Sequence, residues 1–221
     1  MRKLVAAAFV SLDGVMQAPG GPEEDRSGGF AYGGWTVPFW AKDDGIVGGA
    51  LGAMFERPFD LLLGRRTYEI FAAHWPHTDE PPAAVFNAAR KYVATRSDAP
   101  LVWNNSVALH DAAKDIARLK QESGPDLLTQ GSSVLIQTLL ATDLIDEISL
   151  ITFPVILGKG KRFFGDDAMP AALQLTDTKC SSSGVTVSRY ARAGRVETGS
   201  FQLPETSPEE KARRERVARG D

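Results

Sequence analysis

The apolar run Phe59–Leu63 ends in Gly64, and two arginines and Thr67 follow before a helical pattern begins. This order of residues is typical of a β-strand that turns sharply into the amino terminus of an α-helix. Free backbone N–H groups and the positive end of the helix dipole make such a terminus a binding site for anions. Arg65 and Arg66 carry planar guanidinium groups suited to phosphate, and Thr67 would cap the helix or donate its hydroxyl to a phosphate. Because no Walker or GxGxxG fingerprint is present, spacing alone leaves an ordinary strand–helix junction equally open.

Two further junctions repeat this pattern later in the chain. A predicted strand over residues 91–95 ends in Thr95, Arg96 and Ser97, and a strand that begins at Asp126 runs into the turn Gln130–Ser133 and a helix from Val134. Elsewhere in the chain, the pattern of apolar residues predicts a short strand at 101–103, a long strand at 146–157 and a helix over 42–56. Strands that alternate with short helices predict an α/β fold with a mostly parallel sheet.

Gly64–Glu69 resembles the G-R-x-T-[WY]-E segment of dihydrofolate reductases, which lies on the NADPH phosphates in that family. Other matching segments occur in family order and cover most of residues 1–192. They are Ser11–Gly14, Trp103–Asn105, Gln130–Ser133, Leu144–Glu147 and Phe153–Gly160. Together they are similar to the wider reductase family that includes the C-terminal domain of bacterial riboflavin-biosynthesis reductases.

The resemblance implies a dihydrofolate-reductase-like fold, with a mostly parallel central sheet, flanking helices and an antiparallel C-terminal hairpin over residues 173–179 and 185–192. It also implies an NADPH-dependent enzyme, commonly a homodimer in the riboflavin branch. The cofactor would contact three groups of residues at strand ends: Gly64, Arg65, Arg66 and Thr67; Thr95, Arg96 and Ser97, in the loop where the family places its 2′-phosphate; and Gln130, Gly131, Ser132 and Ser133, beside the pyrophosphate.

Three carboxylates are candidates for catalysis. Asp13 follows the first predicted strand, in a loop that the resemblance places near the nicotinamide, but it also suits a simple turn beside Gly14. Asp43 and Asp44 are the nearest counterparts of the carboxylate with which dihydrofolate reductases bind the pterin, although aspartates at a helix start commonly serve only to compensate the helix dipole. None of the three is assigned as proton donor.

A long loop, residues 17–34, is rich in glycine, proline and charge and leads into a cluster of aromatic residues that includes Trp35 and Trp40. Loops of this length in compact domains are usually lids or disordered. Aromatic side chains seek burial or a flat ligand, so we expect a substrate-side lid with Trp35 and Trp40 as substrate-binding residues. The alternative is that these rings close the edge of the core or an interface between subunits.

Composition limits the other classes of function. The chain has 221 residues, a net charge of −3 and 43% hydrophobic residues, which suits one soluble domain and gives no reason to expect a nucleic-acid or membrane partner. A single cysteine, Cys180, allows no internal disulfide and fits a cytoplasmic location. The apolar residues 4–10 are too short for a signal peptide. His74 and His77 flank Pro76 and lack a rigid framework for a metal, so no metal site is expected.

These observations predict a reductase domain over residues 1–200 and a charged tail over 201–221. The predicted activity is NADPH-dependent reduction of a small heteroaromatic substrate, pterin-like or pyrimidine-like, by hydride transfer. The alternative is a binding or regulatory protein that retains the dinucleotide on the same scaffold without turnover.

Overall fold

A computed structural model describes residues 1–201 and 206–220. Within these residues, eight strands form one sheet in the order β4-β3-β2-β5-β1-β6-β8-β7. The strands are β1 (Leu4–Ser11), β2 (Phe59–Gly64), β3 (Lys91–Ala94), β4 (Ser106–Leu109), β5 (Asp126–Gln130), β6 (Glu147–Phe153), β7 (Leu173–Cys180) and β8 (Thr186–Arg192). The helices are α1 (Val37–Trp40), α2 (Ile46–Phe55), α3 (Arg65–His74), α4 (Ala83–Ala88), α5 (Ala112–Gln121), α6 (Ser133–Ala141) and α7 (Pro208–Arg219), with 3₁₀ turns at Ser27–Gly29 and Trp75–His77.

The centre of the sheet is strand β1, which pairs in parallel with β5 on one side and β6 on the other. Alternate side chains of β1 enter different clusters: Leu4 and Ala6 belong to one core, and Ala7 and Phe9 to the clusters of the opposite face. Both faces of β1 are therefore covered, which is why its sequence is apolar throughout rather than alternating.

The carboxyl-terminal end of the sheet is antiparallel, as predicted. β8 pairs in antiparallel register with β6, for example Val187 with Ile151, and β7 pairs with β8. β7 is the outer strand, and all of its residues are exposed. The predicted fold class, a mostly parallel sheet that ends in an antiparallel hairpin, is confirmed.

Three predicted elements differ from the structure. No strand covers 101–103, because Trp103 is buried and donates its backbone N–H to the hydroxyl of Tyr68 (2.8 Å), while the ladder partner of β3 is the later segment β4. β6 ends at Phe153, since Pro154 has no N–H to continue the ladder. α2 begins at Ile46 and not at residue 42, because Gly45 takes a left-handed φ of +86°.

The charged segment predicted as a tail lies partly outside the described residues, since 202–205 and 221 are not described. α7 begins after Ser207, whose hydroxyl accepts a hydrogen bond from the N–H of Glu210 (3.2 Å), and it has no buried residue. The division into a domain over residues 1–200 and a charged tail over 201–221 stays a prediction.

Candidate active site at the carboxyl edge of the sheet

The three loops that the sequence predicted as cofactor-binding follow strands that are neighbours in the sheet. β3, β2 and β5 run in parallel, with Gly64 opposite Ala94 and Leu61 opposite Leu128. Because the carboxyl ends of parallel strands meet at one edge, the loops open on the same side of the molecule. The structure thus brings together Gly64, Arg65, Arg66, Thr67, Thr95, Arg96, Ser97, Gln130, Gly131, Ser132 and Ser133.

The loops after β2 and β5 touch at Gly64 and Ser132. The N–H of Gly64 donates to the hydroxyl of Ser132 (2.8 Å). A Cβ on Gly64 would stand 3.3 Å from both Cβ and Oγ of Ser132, so only glycine allows this approach without displacement. Gly131 and Ser132 both have left-handed backbones, with φ of +78° and +65°, and this conformation is uncommon for a serine. Such strain is often found where a backbone is shaped to receive a ligand.

Two helices, α3 and α6, begin directly after this contact. α3 starts at Arg65 and α6 at Ser133, and no side chain caps either amino terminus by a hydrogen bond. The expected cap by Thr67 is therefore absent, because α3 starts two residues earlier and Thr67 lies in its first turn. Two neighbouring helix termini without side-chain caps offer backbone N–H donors to an anion.

The arginines of this edge differ in how firmly they are held. Arg65 donates from Nε to Glu69 (2.6 Å) and from NH1 to the carbonyl of Ala99 (2.9 Å), in the loop after β3, and its side chain is 24% exposed. Arg66 is 58% exposed and donates to the loop between β1 and α1. Arg96 is exposed, and within the described part of the chain its guanidinium has no ion pair. The three arginine side chains at this edge therefore differ in how firmly hydrogen bonds hold them.

The loop after β3 is a tight polar turn. The N–H of Ser97 donates to the hydroxyl of Thr95 (3.0 Å), and the hydroxyl of Ser97 accepts from the N–H of Ala99 (3.1 Å). Thr95 is buried, so its hydroxyl serves the turn, whereas Arg96 and Ser97 are exposed. Of this group, Arg96 and Ser97 are the residues that remain accessible to a ligand.

Asp13 lies at the end of β1 and binds the loop after β6. Its carboxylate accepts hydrogen bonds from the hydroxyl of Ser11 (2.6 Å) and from the N–H groups of Leu157 (3.1 Å) and Gly158 (2.8 Å). Burial raises the pKa of Asp13, but these hydrogen bonds outweigh it and hold the pKa at about 2. At neutral pH the group is an anion that fixes a loop, which does not suit a proton donor. Its predicted catalytic role stays a prediction.

The other two candidate carboxylates also bond to the backbone. Asp43 accepts from the N–H groups of Val47 and Gly48, both at 3.3 Å, at the start of α2. Asp44 accepts from the N–H of Ser182 (3.0 Å), in the turn between β7 and β8. These contacts correspond to the helix-start alternative for Asp43, and they place Asp44 at the hairpin turn.

The aromatic residues predicted to bind substrate pack in the core beneath α2. Trp35 is 8% exposed, its indole N–H donates to the carbonyl of Gln17 (2.8 Å), and its ring meets Phe153 edge-on with centroids 5.4 Å apart. Trp40 is half-buried and meets Phe9 edge-on at 5.9 Å. The geometry therefore favours the alternative in which these rings close the edge of the core.

Sequence reasoning missed two residues at this edge. Asp25, in the loop between β1 and α1, accepts hydrogen bonds from Lys161 (2.5 Å) and from Arg66 (3.2 Å). Asp25 and Lys161 are 136 residues apart, and no local pattern links two ordinary surface-type charges at that separation. Only the folded sheet brings them together.

A separate cleft of about 900 Å³ lies at the opposite, amino edge of the sheet, among residues that include Arg2, Asp60 and Tyr92. Arg2 is buried there, and its guanidinium is neutralised by Asp60 (2.5 Å) and also donates to the carbonyl of Pro125. The buried charge of Arg2 is therefore already paired within the cleft.

The sheet order and the antiparallel end define a dihydrofolate-reductase-like α/β fold. The chain belongs to the family of RibD C-terminal domains, whose model matches residues 2–187. It is 28% identical over 131 residues to the uncharacterized protein YyaP of Bacillus subtilis (strain 168), and the match covers 57% of this chain and 69% of YyaP.

Solved structures share the fold. A protein of Shewanella sp. PV-4, provisionally assigned to riboflavin biosynthesis, aligns with a TM-score of 0.61 and 21% identity over 86% of this chain and 99% of its own. The dihydrofolate reductase of Enterococcus faecalis, solved in complex with NADP(H) and RAB-propyl, aligns with a TM-score of 0.57 and 15% identity over 86% of this chain and 96% of its own. At these identities the likeness establishes the fold.

The described residues, 1–201 and 206–220, also bear on other classes of site. None of their helices has the length and apolar character needed to cross a membrane. No group of three or more His, Cys, Asp or Glu residues in the same ranges is arranged to hold a metal ion.

Proposed function

We propose that the protein is an NADPH-dependent reductase that transfers hydride to a small heteroaromatic, pterin-like or pyrimidine-like substrate. The observation that carries the proposal is the contiguity of three polar loops at the carboxyl ends of β3, β2 and β5. A dinucleotide needs such an extended edge, because its phosphates and sugars stretch across several strands. Membership of the RibD C-terminal family and the fold shared with a dihydrofolate reductase support the same assignment.

The residues present fit the phosphates of the cofactor. The uncapped amino termini of α3 and α6 offer backbone N–H donors, and the glycine at position 64 lets the two loops approach each other. In this proposal the pyrophosphate lies between Thr67 and the turn Gly131–Ser133. Arg65 and Arg96, on the neighbouring loops, bind the 2′-phosphate.

Hydride chemistry is supplied by the nicotinamide when the cofactor is bound. The chain contributes binding, orientation and exclusion of water. Asp13 contributes to orientation indirectly, because its anion fixes the loop Leu157–Gly158 beside the end of β1. Since Asp13, Asp43 and Asp44 all accept hydrogen bonds from the chain itself, the proposal assigns the proton of the reaction to none of them.

The hydrogen bonds that Asp13, Asp43 and Asp44 accept from the chain favour one alternative, a protein that binds the dinucleotide without turnover. A catalytic carboxylate has to be free to exchange a proton near the substrate, and the three candidates are engaged elsewhere. Following NADPH oxidation at 340 nm with added pterins, pyrimidines and quinones separates the two. Steady oxidation that depends on one of these compounds supports the reductase, whereas tight binding without oxidation supports the alternative.

The cofactor assignment is tested by Arg65→Ala. We expect the affinity for NADPH to fall by about tenfold, because a charge-assisted contact to the 2′-phosphate is lost, and the affinity for NADH to change by less than twofold. Calorimetric titration of both cofactors measures this. Equal weakening of NADPH and NADH would show that Arg65 does not distinguish the extra phosphate. Glu69→Gln is the matched control, since it removes the partner of Arg65 and keeps the cation.

A further inference from the structure

The carboxylate of Asp25 sits between two cations that come from distant parts of the chain. Its oxygens accept hydrogen bonds from Nζ of Lys161 at 2.5 Å and from NH1 of Arg66 at 3.2 and 3.4 Å. The side chain of Asp25 is only 12% exposed, whereas that of Arg66 is 58% exposed. The carboxylate is therefore largely enclosed, and one of its two cations remains accessible from solvent.

The two cations follow strands that are three positions apart in the sheet. Arg66 follows β2 and Lys161 follows β6, and the sheet order places β5 and β1 between these strands. Neighbouring strands are roughly 4.8 Å apart, so the two strand ends are separated by about 14 Å. Asp25 thus links two cations whose strands lie on either side of β5 and β1.

The loop is fixed in this position by further contacts. The side-chain amide of Gln17 donates to the carbonyls of Asp25 (3.0 Å) and Ser27 (2.9 Å), and its oxygen accepts from the N–H of Lys161 (3.0 Å). The hydroxyl of Ser27 accepts a second hydrogen bond from Arg66 (2.7 Å). Burial raises the pKa of Asp25, but its hydrogen bonds, above all the one from Lys161, hold it at about 2. Asp25 is thus an anion at neutral pH.

We propose that Arg66 and Lys161 form an anion-binding pair that Asp25 fills as an internal substitute for a phosphate. A ligand with a pyrophosphate group takes Arg66 away from Asp25, so the loop over residues 17–34 competes with the ligand for this cation. The proposal extends the reductase assignment, on which it rests for the identity of the natural ligand. It makes Asp25 a residue that sets cofactor affinity from outside the cofactor's own contacts.

The size of the expected effect follows from the exposure of Arg66. An ion pair with a partner that is more than half exposed is weak, because water screens it. Release of Arg66 therefore costs little, and removing the competing charge should tighten binding of a pyrophosphate ligand by about two- to fivefold.

The test compares Asp25→Asn with Glu23→Gln by calorimetric titration, using NADPH and inorganic pyrophosphate as separate probes. Glu23 lies on the same loop and pairs only with Arg26 among the contacts of the described residues, so its variant removes an equal charge without touching Arg66. We expect Asp25→Asn to bind both probes two- to fivefold more tightly and Glu23→Gln to match the parent. In the Arg66→Gln background, which is itself expected to bind more weakly, adding Asp25→Asn should give no further gain over Arg66→Gln alone.

Ser27→Ala keeps the Asp25–Lys161 ion pair and removes one hydrogen bond to Arg66, so it provides the test if Asp25→Asn does not fold. It should tighten binding in the same direction. Unchanged or weaker binding of both probes, or a gain that persists without Arg66, would overturn the proposal. If NADPH binds no variant but pyrophosphate binds Asp25→Asn more tightly, the reductase assignment fails and the anion pair stands. If the parent binds NADPH and Asp25→Asn binds neither probe more tightly, the anion-pair proposal fails and the cofactor assignment stands.

Discussion

The two halves of the carboxyl edge are built in different ways. The half formed by the ends of β3, β2 and β5 is polar and is made of glycines, hydroxyls and arginines in short loops. The half formed by the carboxyl ends of β1 and β6, with the amino end of β8, contains packed aromatic rings, where Trp35 and Phe39 both meet Phe153 edge-on with centroids 5.4 and 5.5 Å apart. The first half has the character of a binding surface, and the second has the character of a core.

This difference implies that the two halves respond differently to substitution. The exposed side chains of the polar half are not packed in the core, so their loss should change ligand affinity more than stability. Residues of the aromatic half are packed or hydrogen-bonded within the protein, so their loss should change stability first. Variants from both halves test this contrast.

The largest effect is expected for Trp35→Ala. The buried ring would leave a cavity and the carbonyl of Gln17 would lose its hydrogen bond, so the free energy of unfolding should fall by about 3–5 kcal/mol. Denaturant unfolding measures this. Trp35→Phe, which keeps an aromatic ring against Phe153, should lose less than half as much. A well-folded Trp35→Ala variant with weakened substrate binding would instead place this ring in the substrate site.

A smaller effect, with a defined pH dependence, is expected for Asp13→Asn. The lost charge-assisted hydrogen bonds should cost about 1–2 kcal/mol at pH 7. The folded pKa of Asp13, about 2, lies below the ordinary 3.8, so its contribution is present above about pH 4 and is lost as the pH falls towards 2. The stability difference between parent and variant should therefore shrink over that range.

Urea unfolding at a series of pH values tests this, with Asp79→Asn as the control because Asp79 is an exposed aspartate. The control should show little difference from the parent at any pH. A constant difference between parent and Asp13→Asn from pH 7 to pH 2 would contradict the role assigned to the Asp13 anion.

The smallest effect on stability is expected for Arg96→Ala, in the polar half. Its side chain is exposed, so the free energy of unfolding should change by less than about 0.5 kcal/mol. The affinity for NADPH should nevertheless fall by about three- to tenfold, with NADH unaffected. Loss of stability without loss of NADPH affinity would remove the contrast between the halves.

The contrast between the two halves also explains which parts of the fold and of the candidate site could be predicted from the sequence. The polar half is encoded locally, because Gly64 followed by two arginines and Gly131 followed by two serines each mark a strand that turns into a helix. Strand order then places the loops side by side. The antiparallel hairpin was predictable for the same reason, since the alternation of Val185, Val187 and Arg189 is a local signal.

The aromatic half depends on contacts between distant residues. Nothing near Trp35 in sequence specifies that it packs on Phe153, and nothing near Asp25 specifies Lys161. The strand predicted at 101–103 fails for a similar reason, since Trp103 is buried in the core and the segment that pairs with β3 is β4. Apolar character alone does not distinguish these two uses.

The most direct test of the central claim is a calorimetric titration of the unmodified protein with NADPH and NADH side by side. The claim is that three loops at one edge of the sheet together bind a phosphorylated dinucleotide. It predicts saturable binding of NADPH with one site per chain and at least tenfold weaker binding of NADH. Absence of NADPH binding, or equal affinity for the two cofactors, would contradict it.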